Sequence, residues 1–190
     1  LDFAMHGLYV ASDEDEAKYP DFLRKAEKRL AKAQRKLSQK QKESHNREKQ
    51  RLRVAILHEK VANQRRDFLH KKARYLADRY DVIGIEDISV KAMAKRKKGG
   101  KFSFGKSVAD NGWNMFTNML EYKLAWQGKK LIKIDKWYPS SQLCHVCGYQ
   151  NHETKDLSVR EWDCPKCGSH HNRDKNAAIN IREEARRISA

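Results

Sequence analysis

The amino-acid sequence predicts a mixed α/β domain with two additions, a long helical hairpin and a small knuckle built on cysteines. Three patterns support this fold class: short β-branched segments, a stretch of helical periodicity over residues 21–80, and two CxxC pairs in the last third of the chain. The segments follow in the order strands, long helices, strand, helix, strand, knuckle, helix. Such interleaving is typical of one mixed domain that carries insertions.

The first residues predict two short strands. Residues 1–12 place apolar side chains on both sides of a turn at His6 and Gly7, and the run DEDE at 13–16 indicates an acidic turn after them. The chain starts without Met and already inside an apolar run, so we expect it to be part of a longer protein.

Residues 21–80 predict a basic helical hairpin, because apolar side chains recur at alternating spacings of three and four. In the first helix this seam consists of Leu23, Ala26, Leu30, Ala33 and Leu37. ESHN at 43–46 predicts the break, and the second helix continues the apolar run through Leu52, Ile56, Leu69, Ala73, Leu76 and Tyr80. The hairpin has 20 Lys and Arg against 7 Asp and Glu, so it carries +13 of the net charge of +16. This excess favours a surface that faces nucleic acid, with a simply solvated helix face as the alternative.

The second half of the chain alternates strands and helices. Residues 81–90 predict a buried strand with two carboxylates. KRKKGGK at 95–101 predicts a glycine-hinged loop that contacts phosphate, with a localisation signal as the alternative that composition alone allows. Residues 113–126 predict an amphipathic helix, residues 131–137 an alternating strand, and residues 174–187 the last helix.

The composition favours a polyanionic partner. The chain has 41 Lys and Arg against 25 Asp and Glu, and its sequence pI is about 9.8. Nucleic acid is therefore the first expectation and an anionic membrane surface the second. There is no run of 18 apolar residues and no recognisable signal peptide, which argues against a membrane-spanning or secreted protein.

The cysteines predict a structural zinc site. Cys144 and Cys147 are separated by 16 residues from Cys164 and Cys167, a spacing typical of zinc knuckles in which four thiolates surround one ion. Glycines follow both pairs, where such a knuckle needs a permissive backbone. Three histidines are alternative ligands, namely His145, His170 and His171.

Three acids stand at the ends of predicted elements. Asp2 lies in the first strand, Glu86 closes the strand VIGIE, and Asp174 opens the last helix. If the fold brings them together, their mutual repulsion calls for a divalent cation, and oxygen ligands suit Mg²⁺. Spacing alone leaves a simpler alternative for Asp174, an acid that stabilises a helix N-terminus.

An ordered set of motifs decides between these alternatives: LDFAMHGLYV, VIGIEDI, YPSSQLCHVCG, LSVREWDCPKCG and NRDKNAAINI. Together they resemble the RuvC-like nuclease half of TnpB, a transposon-encoded RNA-guided DNA endonuclease related to compact type V CRISPR effectors. The resemblance runs from the first residue to about 183. Asn172 stands where the family often has an acid, and the family's amino-terminal half, which grips guide RNA, has no counterpart in these residues.

The resemblance implies an RNase H-like (RuvC) fold over residues 1–138 and 172–190, with the helical hairpin at 21–80 and a zinc ribbon at 139–171 as insertions. It further implies that Asp2, Glu86 and Asp174 hold catalytic Mg²⁺, two ions by the two-metal mechanism, beside one structural Zn²⁺. Guide RNA and target DNA are the implied partners, and the cytoplasm of a prokaryotic cell is the implied location.

Several cations are candidate phosphate contacts, because guanidinium and ammonium groups bind phosphate oxygens. Arg160 and Arg173 flank the acid site in sequence, and for each the alternative is an ordinary surface arginine or a bond within the knuckle. The hairpin offers Arg24, Lys28, Arg35, Arg65 and Arg66.

The leading prediction is a metal-dependent DNA endonuclease domain that is guided by RNA in the complete protein. A nuclease-inactive, RNA-guided repressor is one alternative, although it should have lost one of the three acids. A zinc-ribbon nucleic-acid-binding protein or transposase accessory is another, and strand joining by a transposase would use the same acids.

Overall fold

The computed structural model describes residues 1–4, 7–88 and 112–190, and these contain seven strands and four α-helices. The strands are β1 (Asp2–Phe3), β2 (Tyr9–Val10), β3 (Glu16–Ala17), β4 (Val82–Glu86), β5 (Lys130–Ile134), β6 (Glu161–Asp163) and β7 (His170–Asn172). The helices are α1 (Phe22–Ser38), α2 (His45–Arg79), α3 (Trp113–Trp126) and α4 (Arg173–Ser189), and a short 3-10 turn covers His152–Lys155. The mixed α/β architecture is the predicted one.

The first three strands form an antiparallel sheet in the order β1-β2-β3. Asp2 pairs with Val10, and Val10 pairs with Glu16. The two predicted strands are therefore confirmed, but the predicted acidic turn at 13–16 is too long, because Glu16 already belongs to a third strand.

Strands β4 and β5 pair in parallel, with Glu86 opposite Ile134 at the end of the register. Parallel neighbours need a crossover between them, and α3 lies in that connection. The Leu1 nitrogen donates to the Gly84 carbonyl at 2.6 Å, so the start of β1 lies beside β4.

Helices cover both faces of the β4–β5 pair. Ile83 and Ile85 pack into the main core with α2 and α3, whose contributions include Leu76 and Phe116. Since side chains alternate along a strand, Gly84 faces the other way, toward Ala185 and Ile181 of α4. Ile134 of β5 packs on the same side as these α4 residues.

Gly84 lets α4 approach β4 closely, and this gives a testable consequence. A Cβ at position 84 would lie 2.6 Å from the Ala185 Cβ and 3.1 Å from the Ile181 carbonyl oxygen. We expect Gly84→Ala to lower the free energy of unfolding by about 1–3 kcal/mol, the usual cost of overpacking, in a chemical denaturation experiment. Val82→Ala on the exposed start of the same strand is the control and should change little. Equal stability of Gly84→Ala and the wild type would contradict this packing.

The predicted hairpin is present, with α1 and α2 packed against each other. All five predicted seam residues of α1 are buried or half-buried. The chain turns between the helices, and α2 begins after Ser44, whose hydroxyl accepts a hydrogen bond from the Arg47 backbone nitrogen at 3.2 Å. The break at ESHN is therefore confirmed within a few residues.

The predicted apolar run of α2 is wrong in its first part. Leu52 and Ile56 are 50% and 61% exposed, whereas the buried Gln50 donates to the Ala33 carbonyl oxygen of α1 at 2.9 Å. Two residues rotate a helix by about 200°, so Leu52 lies on the side opposite Gln50. The later part of α2, with Leu69, Ala73 and Leu76, is fully buried in the main core as predicted. Helix α2 is thus half hairpin and half core.

Among the described residues, no helix has both the length and the apolar character needed to cross a membrane.

Candidate active site and metal-binding ribbon

The fold places three distant acids around one cavity. Asp2 lies in β1, Glu86 is the last residue of β4, and Asp174 is the second residue of α4. All three line an open cavity of about 790 Å³. Because 84 residues separate the first two and 88 the last two, only tertiary structure can bring them to this cavity.

The environment of Asp2 disfavours its charged form. Its removal from water raises its pKa well above the usual range, and the nearby carboxylates of Glu86 and Asp174 raise that pKa further. Without a cation, burial and the neighbouring carboxylates therefore both act against the charged form of Asp2. A bound divalent cation would reverse this preference, so the donor set suits a hard metal ion such as Mg²⁺.

Glu86 is held by a residue that the sequence did not single out. The Ser140 hydroxyl donates to the Glu86 carboxylate, and Ser140 itself is buried. Ser140 follows β5 by six residues. Ser140 belongs to the motif YPSSQ. No sequence pattern links a serine in a turn-like segment to a carboxylate so far away in the chain.

Arg160 contacts Asp174 directly. Its Nη1 lies 3.4 and 3.5 Å from the two carboxylate oxygens, and both side chains are partly exposed. Arg160 comes just before β6 and lines the same cavity. The guanidinium therefore balances part of the negative charge of the acid site.

Arg173 is the second predicted arginine, and it is 9% exposed. Its backbone nitrogen donates to the Arg160 carbonyl at 2.8 Å, and its side chain lines the acid cavity. Its buried Nε has no hydrogen-bond partner among the described residues. A buried guanidinium nitrogen without a partner is costly, so this group is suited to an anionic ligand.

The four cysteine thiols form a compact set of potential metal ligands, with their sulfur atoms all within 4.8 Å of one another. The Cys144–Cys167 and Cys147–Cys164 sulfur distances are 3.7 and 3.6 Å. A tetrahedron with metal–sulfur bonds of about 2.3 Å has edges of about 3.8 Å. The thiols are therefore arranged so that they can hold one metal ion, and the set contains no histidine.

Two similar turns bring these thiols together. In each, the glycine after the CxxC pair donates its nitrogen to the carbonyl of the first cysteine at 2.8 Å. Gly148 and Gly168 both have φ of 72°, the left-handed region that favours glycine. The predicted reason for these glycines is confirmed.

The three alternative histidines have other contacts. His145 Nδ1 lies 2.9 Å from the Asn176 Oδ1, and His170 Nδ1 lies 2.8 Å from the Asp163 Oδ1. His171 is buried, with its Nε2 3.1 Å from the Cys144 sulfur. His171 thus packs beside the thiol set, and a proton on its Nε2 would let the ring donate to the Cys144 sulfur and orient that potential ligand.

Two buried asparagines of α4 fix the ribbon to the helix that carries Asp174. Asn176 Nδ2 donates to the Leu143 carbonyl at 2.6 Å, and Asn180 Nδ2 donates to the Leu143 and Ser140 carbonyls at 2.7 and 2.8 Å. Sequence reasoning missed this pair. Their spacing of four residues on the apolar face of NAAINI was the available signal.

The predicted phosphate-contacting cations of the hairpin differ in their exposure to solvent. Arg24, Lys28, Arg35 and Arg66 are exposed, as predicted. Arg65 is half-buried, and its Nε donates to the Tyr19 hydroxyl at 3.3 Å, so it supports the packing of the hairpin base. The predicted basic loop at 95–101 lies outside the described residues.

Two family models match the chain. The OrfB_IS605 model, described as a probable transposase, matches residues 1–97, slightly more than half of the chain. A model described as the Cas12f1-like TNB domain matches residues 113–181, which include the ribbon.

Individual proteins align over almost the whole chain. A Streptomyces pristinaespiralis protein named "Putative RNA-guided DNA endonuclease" is 40% identical over 181 residues, which are 95% of this chain and 43% of the relative. InsQ of Escherichia coli K12, with the same description, is 34% identical over 95% of this chain and 47% of its own length. The chain thus spans about half the length of the curated relatives it matches.

A solved structure has the same fold. The cryo-EM structure of a Cas12f1-sgRNA-target DNA complex superposes with a TM-score of 0.59 at 21% sequence identity, and covers 95% of this chain and 48% of that chain.

Proposed function

The chain belongs to the OrfB_IS605 family of probable transposases, the TnpB family that its motifs resemble, and we propose that it is the nuclease part of an RNA-guided DNA endonuclease. In this proposal the complete protein hydrolyses phosphodiester bonds of a target DNA selected by a guide RNA, in the cytoplasm of a prokaryotic cell. The observation that carries it is the meeting of Asp2, Glu86 and Asp174 in one cavity with two arginines.

The strand arrangement supports an RNase H-like (RuvC) domain. The antiparallel strands β1 to β3 and the parallel pair β4–β5 meet where Leu1 contacts Gly84, which gives the spatial order β3-β2-β1-β4-β5. In this assignment residues 1–138 and 172–190 form the nuclease domain, and residues 139–171 form a zinc ribbon. The hairpin at 21–80 is an insertion only in part, because the end of α2 contributes to the core.

The three acids would hold Mg²⁺, two ions in the two-metal arrangement, which supplies charge stabilisation and a reactive water for phosphodiester hydrolysis. Ser140 orients the Glu86 carboxylate through its hydroxyl. While no substrate is present, Arg160 neutralises Asp174. When substrate binds, the Arg160 guanidinium would contact a phosphate oxygen instead. Arg173 offers its unpaired Nε to the same cavity.

The assignment of Arg160 predicts a kinetic effect without a folding effect. We expect Arg160→Gln to slow single-turnover cleavage by about 10- to 100-fold, the usual range for a lost charge-assisted hydrogen bond, with an unchanged melting temperature. Arg182→Gln is the matched control, because Arg182 is a partly exposed arginine of α4 that pairs with Glu183 outside the acid cavity. Cleavage by Arg160→Gln at the wild-type rate would remove Arg160 from the site.

The basic hairpin would hold the backbone of a guide–target heteroduplex, which proteins of this kind recognise by shape and charge. Arg24, Lys28, Arg35 and Arg66 are the exposed cations that we assign to it. Arg65 is left out of this set because it is bonded to Tyr19.

Replacing these four cations by Gln should make heteroduplex binding less sensitive to salt. Each lost phosphate contact reduces the slope of log affinity against log salt by about 0.7–0.9, which titrations at several salt concentrations measure. As a control, Arg51, Lys71 and Arg74 are replaced by Gln, since each already pairs with an acid of its own helix. An equal slope in both variants and the wild type would assign the charge to a solvated face.

The experiment that tests the function uses the complete protein expressed with its transposon, so that the bound RNA is purified and sequenced. DNA matching that RNA should be cut in Mg²⁺ and left intact after chelation, and DNA without the match should not be cut. Binding without cutting would favour the repressor alternative. Joined products in place of cut ends would favour strand transfer by a transposase.

A further inference from the structure

The turn between β5 and the ribbon is attached at both ends to Glu86. At its start, Ile134 pairs with Glu86 across the parallel strands, and the Ile134 carbonyl accepts from the Asp87 nitrogen at 3.3 Å. At its end, the Ser140 hydroxyl donates to the Glu86 carboxylate. Trp137 lies midway, three residues from each anchor. Three residues span at most about 11 Å, so the Trp137 backbone lies within about that distance of Ser140, which lines the acid cavity, while Trp137 itself is not among the lining residues.

This turn has a defined conformation. The Asp135 carboxylate accepts a hydrogen bond from the Trp137 backbone nitrogen at 2.6 Å, and the Asp135 carbonyl accepts from the Tyr138 nitrogen at 3.0 Å. The Ser140 nitrogen in turn donates to the Tyr138 carbonyl at 2.8 Å. The backbone therefore fixes the direction in which residue 137 projects.

The Trp137 ring is left open to solvent. Trp137 is 80% exposed, whereas Trp113 and Trp162 are 2% and 7% exposed. The Lys136 Nζ lies 5.1 Å from the ring centroid, within the range of a cation–π contact. A large aromatic surface combined with a cation, on the turn that ends at Ser140 of the acid cavity, matches the chemistry of a platform for a nucleic-acid base.

We propose that Trp137 stacks on an unpaired base of the DNA strand that the acid site cuts, and that Lys136 contacts a neighbouring phosphate. A single strand is the occupant because a ring can stack on a base only when the face of that base is free. The turn then holds the nucleotide next to the cleaved bond, and does so for any base, since every base has a π-face. The inference rests on the proposed nuclease function for the identity of the strand.

Trp126 provides a matched control. It is 77% exposed, close to the value for Trp137, but it ends α3, before the start of β5 and away from the Glu86 end of that strand. Both residues are expected to respond to solvent, and only Trp137 to a strand at the acid site.

The first experiment measures strand binding without cutting. The complete guide-bound protein is titrated with a single-stranded thymidine oligonucleotide in the absence of divalent ions, and tryptophan fluorescence is recorded. We expect quenching in the wild type and in Trp126→Ala, and loss of quenching in Trp137→Ala. Equal quenching in Trp137→Ala and the wild type would overturn the proposal. This readout does not need catalysis, so it stands even if the complete protein fails to cut DNA, a result that would refute the proposed function instead.

The second experiment tests the base itself. At protein concentrations that bind less than half of the target DNA, Trp137→Ala should lower the single-turnover cleavage rate by about 5- to 150-fold, the effect of one lost base–aromatic stack. Trp137→Phe should retain most of the wild-type rate. An abasic nucleotide at one position near the cut should slow the wild type by a similar factor and leave Trp137→Ala unchanged. If every abasic substitution slows both proteins equally, Trp137 does not contact a base and the inference is wrong.

Discussion

Replacing any one of the three acids by its amide should abolish DNA cleavage in the complete protein while guided DNA binding persists. The variants are Asp2→Asn, Glu86→Gln and Asp174→Asn, whose residues line one cavity from three different elements. Each removes a carboxylate that would hold a cation, and the loss of several kcal/mol of transition-state stabilisation corresponds to at least about 1,000-fold in rate. Single-turnover cleavage and filter binding of the same target DNA measure the two properties separately.

Glu16 supplies the matched control for this experiment. It lines the same cavity from β3, but it is exposed and pairs with Lys18 at 3.5 Å. Glu16→Gln should therefore cleave close to the wild-type rate. If one of the three amide variants also cuts at that rate, the replaced residue is not part of the catalytic site, even though it lines the cavity.

Loss of the metal from the ribbon is the second large effect that we expect. Metal analysis of the purified protein should find about one zinc per chain, the content of a closed four-thiolate site. Cys164→Ser removes a buried ligand, and the apparent binding free energy of such sites is on the order of 10 kcal/mol. The variant should lose its zinc and melt at a lower temperature.

The effect should also reach the acid site. The ribbon is bonded to α4 through Asn176 and Asn180, and Asp174 lies on that helix. Cys164→Ser should therefore cut DNA more slowly even where the rest of the domain stays folded by circular dichroism. His170→Gln is the control, because His170 is exposed and contacts Asp163 outside the thiol set. A zinc-free protein with an unaltered melting curve would contradict a structural role for the metal.

Much of this architecture could be predicted because each pattern had a single physical solution. Residues 113–126 combine apolar and polar positions with the helical period, and α3 has these same bounds. The two CxxC turns also had one plausible geometry, since four thiols at that spacing converge only in a knuckle. The existence of both elements followed from local sequence.

The wrong predictions concern helix residues for which the sequence did not show whether the side chain faces the protein or the solvent. In α2 apolar side chains surround the helix near residues 52 to 57, so the hydrophobic periodicity did not identify the buried side. The burial of Gln50 could not be predicted because it depends on a hydrogen bond to the Ala33 carbonyl of the other helix. Arg65 looked like a surface cation in sequence, but the position of Tyr19 gives it a partner. Both outcomes depend on the angle between helices, which no short sequence window encodes.

The supporting contacts of the three acids also could not be predicted from the sequence. Their places at the ends of predicted elements singled out Asp2, Glu86 and Asp174, and the resemblance grouped them into one site. The contacts of Glu86 with Ser140 and of Asp174 with Arg160 depend on tertiary structure. A hydroxyl 54 residues from its carboxylate partner leaves no trace in spacing. Such supporting residues are found only when the fold is known.

The direct passage from β7 into α4 has a consequence for anyone who would redesign this protein. Asn172 ends the strand and also caps the helix, its side chain accepting from the Lys175 nitrogen at 3.2 Å, so no linker separates the ribbon from Asp174. Each residue of an α-helix turns by about 100°. Adding or deleting one residue at this junction would rotate Asp174 out of phase with Asp2 and Glu86, or else twist the whole ribbon around the helix axis. A ribbon from a relative can therefore be exchanged as a module only if the splice preserves the count of residues between its last cysteine and that aspartate.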